Sequence, residues 1–453
     1  MISARLSDLL TAVAGAGSPQ TDTEFSGVSI DTRTLSPGNL YVAIRGERFD
    51  GHDFIGQAVA AGAAAVVADK PCECDCPVVL VSNTRQALRD IAAWWRDQVN
   101  PMVVAVTGSN GKTTTKEILR QVLSLSGKTL ATQGNLNNDI GVPLTLLQLS
   151  GEDRYAVIEI GANHPREIAG IVTGVRPDVA VITMIGPSHL EGFGSLQGVA
   201  QAKSEIFSCF NGKGTAVVPA ADPFCDRLVA AAGSATVRSF GELAGADVRG
   251  VNAAQTYRIE SAQGQGELCF KLQGRHNRYN ALAAAAAALA CGVSFESVLQ
   301  GLALVEPVKG RLQERTEIRD YQLIDDSYNA NPASFHAAID TLCEAQGETR
   351  CLVMGDMGEL GGDEKAVHEE VGRYAKTQGV DYLLTLGRWS SAAAEAFGDN
   401  AAHAESMEQL VEEFMRAVPQ GTRVVVKGSR FMRMEGFIEL LAQRQQAAGG
   451  QGQ

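Results

Sequence analysis

The chain has 453 residues, 45% hydrophobic and 20% charged, a globular balance that excludes a mostly disordered, collagen-like or coiled-coil protein. Its 39 basic and 52 acidic residues leave a net charge of -13, which argues against broad attraction to nucleic acid or an anionic membrane but leaves room for a local basic pocket. The length fits about three domains, and no apolar run is long enough to span a bilayer.

The first hundred residues read as a helix, short strands and a second helix. Arg5, Leu9, Leu10, Ala12, Val13 and Ala14-Gly15-Ala16 imitate a secretory signal, but Asp8 interrupts the apolar segment and a surface helix is the better reading. Apolar strands are expected at 28–30, 40–44, 64–67 and 78–81, separated by Ser36-Pro37-Gly38 and the loop from Gly46 to Gly51. Cys72, Cys74 and Cys76 alternate with Glu73 and Asp75; zinc sites favour C-x2-C pairs with partners elsewhere, so this reads as a surface loop. The nine scattered cysteines read as reduced thiols of a cytoplasmic protein. A helix over 85–98, with Leu88, Ile91, Trp94 and Trp95 at helical spacing, stops before Pro101, the first boundary.

Continuous apolar runs at 103–106, 155–160 and 179–182 read as strands buried on both faces of a parallel sheet. That unit ends with an Ala-rich helix over 279–291 and with Gly310-Arg311. Beyond 313, runs at 322–324, 351–354, 382–386 and 423–426 alternate with helices at 333–343, 364–376, 407–418 and 434–443, a second doubly wound sheet. The Gln-, Ala- and Gly-rich segment 443–453 reads as a disordered tail.

The sharpest motif is Val106-Thr107-Gly108-Ser109-Asn110-Gly111-Lys112-Thr113-Thr114, a buried strand running through a glycine loop into a helix. Gly108 and Gly111 let backbone N–H groups converge on phosphate oxygens, Lys112 supplies a point charge, and Thr113 offers a hydroxyl to magnesium. Val106 stands where G-x-x-x-x-G-K-[ST] has its first glycine, so the loop is a G-x-x-G-K-T-T variant. Such a loop needs an acidic partner for its cation, and Glu159 at a strand end supplies one. His189 also follows a strand, whereas Lys203, near Ile206 and Phe207 on a helix, reads from the residues alone as a solvated charge. Asn135, Asn137 and Asn138 suit either phosphate and peptide recognition or turns. Asp326, after Asp325 at a strand end, suits either ribose hydroxyls or a helix cap.

Together, segments 107–115 and 135–143, Glu159, His189 with Lys203, Gly274-Arg275-His276-Asn277-Arg278-Tyr279-Asn280-Ala281, Arg311 and segment 326–332 resemble the Mur ligase family, the ATP-dependent amide-forming enzymes of peptidoglycan synthesis. The resemblance covers nearly the whole chain and implies an α/β fold of three domains. These are a small α/β domain over 1–100 that binds the UDP sugar, a central P-loop parallel-sheet ATPase domain over 101–312, and a Rossmann-like ligase domain over 313–453. Segments 159–165, 327–332, 355–361 and 427–430 are similar to the branch that joins D-alanyl-D-alanine to UDP-N-acetylmuramoyl-tripeptide through an acyl phosphate.

The resemblance also implies roles. Gly108, Ser109, Asn110, Gly111, Lys112, Thr113 and Thr114 would cradle the ATP phosphates with Arg311, while Thr113 and Glu159 hold one Mg2+. His189 and a carbamylated Lys203 would hold a second. His276, Asn277 and Asn280 would face adenine and Asp326 the ribose. Asp31, Arg33, Gly46, Asp50, Gly51 and His52 would bind the uridine nucleotide. Asn135, Asn137 and Asn138 would bind substrate, with Tyr328, Asn329 and Asn331 near the dipeptide. A cytoplasmic monomer is implied, with domain closure on binding, no nucleic acid and no membrane insertion. Two alternatives remain: a folate polyglutamate synthase, which would not need the 31–54 segment, and a nucleotide-dependent switch, which the absent N-K-x-D motif disfavours.

Overall fold

Val103, Val104, Ala105 and Val106 are all fully buried, alternately facing two apolar clusters, and this places the strand Met102–Thr107 at the centre of the molecule. The structure, a computed structural model, describes residues 1–13, 21–46, 48–253, 256–344 and 348–449. Ala14-Gly15-Ala16 of the signal-like segment lie outside these residues, as does Glu47 in the expected nucleotide loop.

Met102–Thr107 pairs in parallel with Tyr155–Glu159 on one side and Val179–Ile182 on the other. Thr129–Ala131 closes the first side, and Thr215–Pro219, Thr236–Gly241 and Val248–Ala253 extend the second in parallel. Thr256–Ser261 and Gly264–Glu267 complete the nine-stranded sheet with antiparallel pairs. The chain leaves the central strand toward one edge and later crosses to the other, so the carboxyl ends of three neighbouring strands flank a switch point. The 108–114 loop, Glu159 and the 183–189 loop converge there. The antiparallel extension was not expected, because its apolar signal is thin: only Tyr257 and Ile259 of Thr256–Ser261 are buried, and Gly264–Glu267 has no apolar side chain.

Helices Lys112–Ser124, Arg275–Ala290 and Phe295–Ala303 cover one face, where the buried run Ala283–Ala288 permits close approach. Thr84–Val99, capped by the Asn83 side chain, and Glu167–Val175 cover the other. The amino-terminal unit is a four-stranded parallel sheet, Val28–Ser29, Leu40–Val42, Ala65–Ala68 and Val78–Leu80. Between its last two strands the three clustered cysteines are half-buried, and burial pushes the Cys76 thiol up to about 12.

The carboxyl-terminal sheet runs Gln313–Glu314, Gln322–Asp326, Arg423–Lys427, Arg350–Gly355, Tyr382–Leu386 and Ala401–Ala404, parallel except for its first pair. One expectation is corrected here. The helix Glu435–Gly449 continues through most of the segment read as a disordered tail, because Phe437, Ile438 and Leu441 anchor its start and the following Ala, Gln and Arg residues are good helix formers. Residues 450–453 lie outside the described ones.

Candidate active site

The phosphate loop is braced from behind by the neighbouring loop. Thr183 Oγ1 donates to the Asn110 carbonyl at 2.5 Å, and Ser109 Oγ donates to the Gly186 carbonyl at 2.7 Å. Gly108, at φ +151°, and Gly111, at φ +80°, leave no room for a Cβ: one would stand 1.8 Å from Thr183 Oγ1 and 2.3 Å from Asn280 Oδ1 respectively. Lys112 Nζ folds back on the Gly108 carbonyl at 2.7 Å. Burial lowers the pKa of this ammonium against the opposing pull of Glu159, and Arg311 adds to the lowering.

Glu159 is buried, and its Oε1 accepts from Asn137 Nδ2 at 2.8 Å. Its Oε2 has no hydrogen-bond partner among the described residues. A buried, unpartnered carboxylate oxygen beside a phosphate loop suits a cation. Thr113, Glu159 and His189 all line the same cleft, so one hydroxyl, one carboxylate and one imidazole are available, and Mg2+ takes its remaining ligands from water and phosphate. No group of three or more His, Cys, Asp or Glu that could hold a metal occurs among the described residues. Thr113 Oγ1 accepts from Arg311 Nη2 at 3.1 Å, and Arg311 also stacks over Tyr328 at 4.5 Å.

Lys203 corrects the residue-level reading of a solvated charge. It is 1% exposed, behind the cleft wall, with its ammonium 5.8 Å from the centre of the Phe193 ring. Burial, reinforced by Lys112, holds its pKa well below the usual lysine range. Burial likewise lowers His189, opposed by Glu359.

The cleft has a volume of about 1850 Å³ and gathers Ser109 to Thr114, Asn135, Asn137, Asn138, Glu159 and His189 from the middle unit. His276, Asn277, Asn280, Arg311, Asp326, Tyr328, Asn329 and Asn331 complete it. Not all of these side chains are free. Asn277 donates to the Gln273 carbonyl, and Asn280 bridges Asn277 and Thr115, so both brace the helix start. Asn138 Oδ1 accepts from the Gly141 N–H, a turn role. Asn110 and Asn331 form a reciprocal amide pair, at 2.8 and 3.2 Å, between the phosphate loop and the cap of the helix Pro332–Cys343.

Lys427, which sequence reading left without a role, donates to Asp326 Oδ2 at 2.6 Å and to the Asn329 carbonyl at 2.9 Å. Its sequence signals are its place at the end of the strand Arg423–Lys427 and in the segment 427–430 that carries part of the resemblance. The amino-terminal candidates lie apart from the cleft. Asp31 is held by Arg33, which pulls its carboxyl down to about 2. Asp50 accepts from His52 Nδ1 at 2.6 Å, His52 Nε2 accepts from the Asp69 N–H, and Gly46 and Gly51 shape the loop by backbone bonds to Phe49 and Ile44.

Three domain families match the chain: Mur ligase family, catalytic domain, over 24–96; Mur ligase middle domain, over 106–288; and Mur ligase, glutamate ligase domain, over 310–430. The chain belongs to the Mur ligase family. Within it, UDP-N-acetylmuramoyl-tripeptide--D-alanyl-D-alanine ligase from Escherichia coli (strain K12) is 42% identical over 448 residues, 97% of this chain and 99% of that one. The crystal structure of MurF from Acinetobacter baumannii matches with a TM-score of 0.91 at 37% identity, covering 98% and 99% of the two chains. MurF ligase from Thermotoga maritima in complex with ADP matches with a TM-score of 0.83 at 27% identity, covering 92% and 97%.

Proposed function

We propose that the chain joins D-alanyl-D-alanine to UDP-N-acetylmuramoyl-tripeptide with ATP, giving the nucleotide pentapeptide, ADP and phosphate. The acceptor pair is supported by full-length similarity to the D-alanyl-D-alanine ligases, and the ATP step by the unpartnered Glu159 oxygen in the cleft that also holds the phosphate loop. A carboxylate oxygen is a poor leaving group, so the tripeptide's terminal carboxylate first attacks the γ-phosphorus of ATP and ADP departs. The dipeptide amine then attacks the acyl carbonyl, the nitrogen loses a proton, and the C–O bond to phosphate breaks.

In this reading the backbone of 108–114 and Lys112 hold the ATP phosphates, and Arg311 leaves Thr113 to follow them. Thr113 and Glu159 would hold one Mg2+ and His189 a second; bound Mg2+ would neutralise charge spread over the transferred phosphoryl group. Burial favours the neutral amine of Lys203, and a neutral amine is the form that adds CO2 to give an anionic carbamate. A carbamate carbon signal from 13C-bicarbonate, absent in K203M, would support that assignment, and no signal in the wild type would sink it. Asp326, pinned by Lys427, faces the ribose, His276 the adenine, and Asp31, Arg33 and His52 the uridine nucleotide. One chain supplies every proposed contact, which favours a monomer. No helix among the described residues is long and apolar enough to cross a membrane, and the ATP requirement favours the cytoplasm.

Phosphate release from MgATP should require both UDP-N-acetylmuramoyl-tripeptide and D-alanyl-D-alanine, with pentapeptide detected by mass. Turnover indifferent to both acceptors would overturn the reading. Failure to bind a UDP sugar would instead favour a folate-type ligase.

A further inference from the structure

Glu359 has no part in the roles above, yet its contact is specific. Its Oε2 lies 2.5 Å from His189 Nδ1, although the two residues belong to different units. Glu359 sits in the loop after the strand Arg350–Gly355, and His189 precedes the helix Leu190–Phe193. Both backbones are left-handed, at φ +59° and +48°, a conformation that such residues adopt only where their surroundings hold them. The loop packs directly on the helix start: a Cβ on Gly361 would stand 3.1 Å from Glu191 N. Phe193 meets the imidazole edge to face, with ring centres 6.4 Å apart. Glu359 and Phe193 thus flank the ring on two sides, and its Nε2 has no hydrogen-bond partner among the described residues.

An imidazole that binds a metal through one nitrogen usually donates its other N–H to a carboxylate, which fixes tautomer and orientation and raises ligand basicity. We infer that Glu359 is a positioning residue. It holds His189 with the proton on Nδ1 and the Nε2 lone pair free for a cation. Because Glu359 comes from the carboxyl-terminal unit, the second cation position is complete only when that unit is docked. This inference rests on the reading of His189 as a cation ligand.

Mn2+ provides a probe independent of turnover. Full-length protein with ADP would be titrated with Mn2+, free ion counted by paramagnetic resonance, and 14N coupling from the bound imidazole recorded. Wild type is expected to bind two Mn2+, H189A one. E359A should weaken the second site by about 10- to 100-fold and diminish the 14N coupling. E359Q, whose amide oxygen can accept from Nδ1, should retain most of both. Glu359 is 60% exposed, so the variants should melt as wild type does, and E359Q guards against a folding defect in E359A. Wild-type Mn2+ affinity in E359A, with the second site lost in H189A, would overturn the positioning role alone. Two bound Mn2+ in H189A would remove His189 as a ligand and the inference with it.

Discussion

The middle unit meets its two neighbours through seams of opposite character. Toward the amino-terminal unit, Ile2, Leu6, Leu9, Leu88 and Ile91 join Val103, Ile158 and Val172 in one continuous apolar cluster. Trp95 Nε1 donates to the Leu149 carbonyl, and Arg96 donates to the carbonyls of Val175 and Arg176, so the polar groups at its rim are satisfied. Toward the carboxyl-terminal unit the contacts are polar pairs around a cleft: Asn110 with Asn331, His189 with Glu359, and Arg423 with Gln273. Apart from Leu312 at the boundary, each carboxyl-terminal apolar cluster stays within its own unit. Apolar burial is lost only when water enters, whereas polar pairs exchange for water or ligand at little net cost. The first seam is therefore expected to behave as core and the second as a hinge.

The largest expected effect is at the apolar seam. Leu88→Ala should destabilise by about 2–5 kcal/mol, with the amino-terminal and middle units unfolding in one calorimetric transition. Separate transitions for these two units would break the comparison. In the cleft, Lys112→Met should lower phosphate release by about 10²- to 10³-fold with little change in melting temperature. Loss of stability on the scale of Leu88→Ala would assign Lys112 a packing role instead.

Adding an ATP analogue with the UDP substrate should reduce the radius of gyration measured by solution scattering, as the polar seam tightens. An unchanged radius would count against a hinge. The smallest effect belongs to a double-mutant cycle between N110A and N331A, followed by thermal denaturation, where a docked ligand-free seam predicts a coupling of about 0.5–1 kcal/mol. Zero coupling would mean that the seam stands open in solution.

Much of this was legible because it is local. The phosphate loop needs only a buried strand, two glycines and a lysine in order, and the apolar runs at 103–106, 155–160 and 179–182 announce strands without reference to partners. The thin alternation of Thr256–Ser261 left the antiparallel extension unread, and the tail became helical because Leu441 and its neighbours found a core that composition could not foresee. Among the site residues, the amides were the ambiguous ones. Asn137 turned out to serve Glu159, while Asn138, Asn277 and Asn280 hold the scaffold.

By itself the sequence determined the three α/β units, the phosphate loop and the family, since those signals depend on covalent neighbours and on periodicity. Tertiary structure alone decided that Lys203 is buried rather than solvated, that Lys427 grips Asp326 from 101 residues away, and that Arg311 reaches Thr113 across 198. It also decided that Glu359 meets His189. The physical reason is common to all four: desolvation and charge pairing are set by which helices, loops and strand ends the fold brings together, and no stretch of the chain carries that arrangement alone.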